Sequence, residues 1–162
     1  MFDPEIVALA TQVLALCRAR GWHVAIAESC TGGLVAAALT AIAGSSDVFD
    51  RGFVAYSNEA KMELLGVPEA TLTAYGAVSS ETVLAMAASA VTRAGADLAV
   101  SITGVAGLGG GIAEKPVGLV YLGVATKENC RSEHHVFPGN RDEIRHAAMI
   151  RALELLRNAA RA

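Results

Sequence analysis

The chain is poor in aromatic residues, poor in charge, and short of cysteine. Phe, Trp and Tyr make up only 5% of its 162 residues, so a core must be built from the Ala, Val, Leu and Gly that dominate the composition. Thirteen Lys and Arg stand against sixteen Asp and Glu, a net charge of −3. There is no basic field to meet a phosphate backbone, and no nucleic-acid partner is expected. No apolar run is long enough to cross a bilayer. The opening "MFDPEIVALA" has no basic segment before its apolar residues, so neither a secretion signal nor a membrane partner is expected. Cys17, Cys30 and Cys130 are scattered and odd in number. They show neither metal spacing nor a disulfide framework, and a cytoplasmic location is the expectation. With 53% hydrophobic and 18% charged residues the chain is not disordered, and its length suits one domain over 1–162.

Common nucleotide and hydrolase signatures are also missing. In "TGVAGLGGG", residues 103–111, Gly104 and Gly109 fit a Walker loop, but Gly110 and Gly111 stand where Lys and a hydroxyl residue are needed. The dinucleotide pattern fails too, because Ile112 occupies the third glycine position after Gly107 and Gly109. The loop reads either as a connection between strands or as backbone that approaches a ligand closely. The segment "AESCTGG" is not G-x-S-x-G. No H-E-x-x-H motif or carboxylate cluster is present, so no metal and no other cofactor is expected. The four histidines are poor bases: His134 and His135 point to opposite sides of a strand, His23 begins a strand, and His146 lies inside the last helix.

What remains is an alternation of helices and strands. Asp3-Pro4 opens a helix that ends near Gly21. "HVAIAE", "GFVAYS", "DLAVSITGV", "VGLVYLGVAT" and "CRSEHHVF" read as strands, the last two joined by a turn at Lys127-Glu128-Asn129. Helices are predicted from Gly32 to about Ala43, from Asn58 to Leu65, from Ser79 or Ser80 to about Arg93, and from Asn140 to the end. After the opening helix the order is β-α-β-α-α-β-β-β-α. It predicts a three-layer α/β/α domain with a mixed β-sheet.

Two stretches carry candidate chemistry. Ser29, in "ESCTGG", falls at the carboxyl end of a strand, where open α/β sheets place ligands. Free N–H groups at the next helix start can hold a phosphate or an oxyanion. The serine reads as a helix cap or as a nucleophile, and Cys30 is an alternative nucleophile. In "VAYSNEAKMELLG", residues 54–66, Tyr56 closes a strand and Asn58 caps the helix carrying Lys61. The helix dipole and partial burial both lower the pKa of a lysine in the first turn. A neutral amine can take a serine proton while Tyr56 relays or orients. The alternative for Lys61 is a solvated surface side chain.

Six motifs in order, "AESCTGG", "GSSDVFDRGFVAYSNEAK", "GAVSSETV", "SITGVAG", "GGGIAEKPVGLVY" and "FPGNRDEIR", resemble the CinA C-terminal domain family of nicotinamide-nucleotide amidases. The resemblance spans about His23 to Ala160. It implies hydrolysis of nicotinamide mononucleotide to nicotinate mononucleotide and ammonia, with a pyridine nucleotide as the small-molecule partner and no cofactor. Longer members carry an additional N-terminal domain, and this chain is expected to be the stand-alone form. On matching positions, Ser29 is the implied nucleophile and Tyr56 and Lys61 its partners. Thr103, Gly104 and Arg141 are implied in the nucleotide pocket. Backbone around Cys30, Thr31 and Gly32 would hold the oxyanion, and Arg145, one turn beyond Arg141, would join it on the 5′-phosphate. Both arginines read otherwise as a solvated helix face. The family's "GPGGG" is "GLGGG" here, so Leu108 replaces a proline and the loop loses a rigid residue. A homo-oligomer is expected. The competing reading is a catalytically idle nucleotide-binding or partner-binding module of the same fold.

Overall fold

Large and small apolar residues alternate along the central strands, and that alternation organises the molecule. The computed structural model describes residues 1–162. Strand β1 (Val24–Glu28) lies between two parallel neighbours, β2 (Phe49–Val54) and β3 (Leu98–Gly104). The sheet continues antiparallel through β4 (Leu119–Thr126) and β5 (Cys130–Val136), giving the order β2-β1-β3-β4-β5. The mixed sheet and the turn near residue 128 are as expected. The β1–β2 register advances by one residue early in the pairing. Val24 is opposite Phe49, but Ala25 is opposite Arg51 and Glu28 opposite Val54, leaving Asp50 without a partner.

Val24, Ile26, Leu98, Val100, Ile102, Val120, Leu122 and Val124 face helices α1 (Pro4–Arg20), α2 (Leu34–Thr40) and α6 (Arg141–Arg161). Ala25, Ala27, Ala99 and Ala125 face the other way, toward α3 (Asn58–Leu65), α4 (Glu69–Tyr75) and α5 (Ser80–Ala94). The result is a three-layer α/β domain. The small side chains let α5 come close: the Ser101 hydroxyl donates to the Val83 carbonyl at 2.6 Å.

Helix ends follow their caps. The Asp3 side chain accepts from the Ile6 N–H, and Asn140 with Glu143 forms a full capping box on α6. Some boundaries differ from expectation. Asp50 and Arg51 belong to a strand that begins at Phe49, so β2 ends at Val54 and Tyr56 lies beyond it. Ser57, not Asn58, caps α3, its Oγ accepting from the Ala60 N–H. Residues 30–33 form a turn, and α2 starts only at Leu34 and ends at Thr40. Helix α4 was not expected. Gly66 and Pro68 stop α3, but Pro68 with Glu69 also starts the next helix.

Candidate active site

The carboxyl ends of β1 and β3 and the start of α3 enclose a cavity of about 190 Å³ that contains Ser29, Lys61, Thr103 and Arg141. Cavities of about 420, 360 and 250 Å³ lie elsewhere, but none contains a serine or cysteine beside a base. Ser29 is 8% exposed, and its N–H donates to the Ile102 carbonyl of β3. Lys61 is 1% exposed, so the solvated-surface reading fails. Its Nζ lies 3.0 Å from Ser29 Oγ, 3.1 Å from the Ala55 carbonyl and 3.0 Å from the Tyr56 carbonyl. No carboxylate lines the cavity to hold a proton on it. Burial lowers the Lys61 pKa, against a smaller opposing effect of Cys30.

These three contacts accommodate either charge state, and burial favours the neutral amine. A protonated lysine would donate to all three oxygens. The neutral form has two N–H bonds, one for each carbonyl, and one lone pair, which the Ser29 hydroxyl can donate into. Cys30 is a poor rival, since burial pushes its thiol up to about 11 and keeps it protonated. The histidines lie outside the cavity. Among them, His134 lies tilted against Tyr121, His135 contacts Glu133, and His146 faces Asp3.

The turn after Ser29 corrects one expectation. The helix-start N–H groups of Gly33, Val35 and Ala36 are not free. All three donate to the carboxylate of Glu28, which is 1% exposed. The Gly32 N–H donates to the Ser29 carbonyl and the Leu34 N–H to the Thr31 carbonyl. Only the Cys30 and Thr31 N–H groups have no protein acceptor. Sequence reasoning missed Glu28 because a carboxylate five residues before Gly33 has no standard capping spacing. The Thr31 hydroxyl is the one buried side-chain polar atom without a partner.

Two further residues sit differently from their expected places. Arg145 does not line this cavity. It donates from Nε to the Cys30 carbonyl at 3.1 Å and from a terminal nitrogen to the Thr31 carbonyl at 3.2 Å. Tyr56 is no relay between Ser29 and Lys61, which touch directly. Its carbonyl holds Lys61, while the residue, 59% exposed, lines the cavity and its hydroxyl accepts from Arg141 at 3.0 Å. Arg141 also donates to the Gly107 carbonyl, tying the start of α6 to the glycine-rich loop. The Thr103 hydroxyl donates to the Ala77 carbonyl at 2.9 Å, and Gly104 packs on β4, where a Cβ would meet the Leu119 carbonyl at 2.7 Å. Leu108 is 95% exposed.

Fold and site together define an α/β domain with a buried serine–lysine pair at the carboxyl ends of its parallel strands. The sequence model described as "CinA C-terminal domain" matches residues 6–160. The nicotinamide-nucleotide amidohydrolase PncC of Enterobacter agglomerans is 50% identical over 155 residues, covering 95% of this chain and 94% of that protein. A CinA-like protein of Syntrophobacter fumaroxidans is 53% identical over 139 residues, 86% of this chain, but the match spans only 33% of that longer protein. The crystal structure of the competence/damage inducible protein CihA from Agrobacterium tumefaciens superposes with a TM-score of 0.96 at 48% identity, covering 100% of this chain and 99% of that one. The chain belongs to the CinA C-terminal domain family.

Proposed function

We propose that this protein hydrolyses the carboxamide of nicotinamide mononucleotide to nicotinate mononucleotide and ammonia. The observation that carries the reading is the buried 3.0 Å contact between Ser29 Oγ and a lysine whose remaining N–H bonds are taken by two carbonyls. The similarity to the amidohydrolase of Enterobacter agglomerans over nearly the full length of both chains supports the substrate.

Neutral Lys61 accepts the hydroxyl proton as Ser29 Oγ attacks the carboxamide carbon. The tetrahedral oxyanion lies against the Cys30 and Thr31 N–H groups. The Lys61 ammonium then protonates the departing nitrogen, ammonia leaves, and Ser29 is acylated. Lys61, neutral again, takes a proton from water, whose oxygen attacks the ester; that proton returns to Ser29 as the product departs, and the new carboxyl group loses water's second proton to solvent. Each proton stays within reach of one nitrogen. The cavity is smaller than the usual ligand pocket of about 300–1,000 Å³, so the ring sits inside and the ribose phosphate extends to the mouth. There the Arg141 guanidinium supplies charge for the 5′-phosphate. The same reading places the protein in the cytoplasm, where three unpaired cysteines persist, and as a homo-oligomer.

The test is ammonia release from nicotinamide mononucleotide by the purified protein and by Lys61→Arg. Turnover by wild type and none by the variant is expected, because guanidinium cannot act as a base. A wild type that binds the nucleotide without releasing ammonia is an idle module. A variant retaining more than about a tenth of kcat, a loss under about 1.4 kcal/mol, shows that Lys61 serves only as a positioning charge.

A further inference from the structure

The Ser29–Thr31 turn is held from both sides. Lys61 approaches on the cavity side, from the layer of α3. Arg145 approaches from behind, from the layer of α6. A trans peptide carries its C=O and N–H in opposite directions in one plane. The Cys30 carbonyl accepts its only protein hydrogen bond from Arg145 Nε, so the N–H of the same peptide, that of Thr31, points away from the guanidinium. The next carbonyl, of Thr31, accepts from Arg145 and from the Leu34 N–H. Gly32 sits under this contact and lets the turn take its shape. Its φ is +59°, a conformation that disfavours a side chain, although a Cβ there would meet the guanidinium only at an ordinary contact distance of 3.5 Å.

We propose that Arg145 is a positioning residue that fixes the Cys30–Thr31 peptide plane, aiming the Thr31 N–H at the oxygen that becomes negative during amide hydrolysis. The inference rests on the amidase reading above. Arg145 touches no reacting atom. It is 27% exposed at its side chain and its nearest acid, Asp142, is 4.0 Å away, so its two carbonyl contacts are its closer engagements. The role differs from a phosphate contact in what it affects. A plane that tilts leaves the ground-state amide bound and weakens only the transition state, so kcat falls and KM holds. Loss of a phosphate contact raises KM and the Kd of the product.

The experiment measures kcat and KM for nicotinamide mononucleotide in wild type, Arg145→Met and Arg145→Lys, with calorimetric Kd values for nicotinate mononucleotide. For Arg145→Met, kcat is expected to fall about tenfold to a hundredfold, less than outright removal of an oxyanion donor. KM and the product Kd stay within about threefold. Arg145→Lys keeps the charge but offers a single donor nitrogen where arginine uses two, so a smaller kcat loss at unchanged KM is expected. This variant decides the matter if Arg145→Met does not fold. Wild-type kcat in the folded variants overturns the proposal. So does a loss confined to KM and product Kd, which would make Arg145 a phosphate contact. A wild type that releases no ammonia overturns the amidase reading itself, and this inference with it.

Discussion

On one face of the sheet, Val24, Ile26, Val100, Ile102 and Leu122 interlock with α1 and α6; on the other, Ala25, Ala27, Ala99, Ser101 and Gly123 stand opposite α5. The first face buries 28 residues in one apolar cluster and the second only 13. Area-based burial, at about 25 cal/mol per Å², therefore concentrates stability in the first. The second gives up bulk for close approach. That is the face from which α3 delivers Lys61 and on which the Thr103 hydroxyl meets Ala77. Burying a lysine is costly, and here burial lowers its pKa so that the amine is held with less charge; that cost falls on the layer that contributes least to holding the fold.

The largest effect expected from separating these roles is that of Lys61→Met. Activity should fall by about 10⁴-fold or more, as when one member of a nucleophile–base pair is removed, while folding stability rises. The pH dependence fixes the cause. A lysine with a lowered folded pKa binds its proton less tightly in the folded state than in the unfolded chain. The cost is full below the folded value and is relieved as pH rises toward the ordinary 10.5. Wild-type stability should gain over that window, and the Lys61→Met difference should shrink. Urea melts across pH measure both, and kcat/KM should rise along the same ionisation.

Next comes a pair of core changes. Leu153→Ala, in the fully buried stripe of α6, should cost about 2–5 kcal/mol in urea denaturation. Gly123→Ala, on the thin face, should cost about 1–3 kcal/mol by overpacking, because a Cβ there would lie 2.6 Å from Ser101 Oγ and 2.8 Å from the Val83 carbonyl. If the alanine is accommodated freely, the thin face is looser than this comparison holds. The smallest effect is that of Thr31→Val. Its hydroxyl is buried without a partner, so an isosteric apolar side chain should be neutral or stabilising by up to about 1 kcal/mol. Urea denaturation checks the sign of the change. A loss of kcat at unchanged stability would show that the hydroxyl meets the substrate.

The layer architecture was legible because the signals were local: Asp3-Pro4 as a helix start, Asn140 as the opening of the last helix and "DLAVSITGV" as a strand each specify an element from neighbouring residues. Ser29 and Lys61 were legible as candidates for the same reason, each lying at the end of a strand or the start of a helix. Their contact was not, because it joins residues 32 positions apart. Glu28 was missed and Arg145 assigned elsewhere for a related reason. Sequence shows that a carboxylate precedes a helix and that an arginine follows Arg141 by one turn; it does not show that the first consumes three N–H groups or that the second turns to the carbonyl side of a neighbouring loop. Helix α4 was missed because Pro68 signals both a stop and a start.

The unpaired Asp50 in β2 has a bearing on which changes of length this chain can absorb. Lys61 and the two carbonyls that hold it, from Ala55 and Tyr56, form one seven-residue cassette that follows directly from β2. Ser29 follows directly from β1. The phase between these adjacent strands therefore sets where base and nucleophile meet, and the extra residue at Asp50 puts Val54 rather than Phe53 beside Glu28. Without it, pairing would slip by one residue, about 3.3 Å along the strand, and turn the cassette to the opposite side. An insertion or deletion in the exposed stretch from Gly109 to Glu114 only lengthens or shortens a loop. The same event between Phe49 and Arg51 leaves every catalytic residue present and moves the lysine away from its serine.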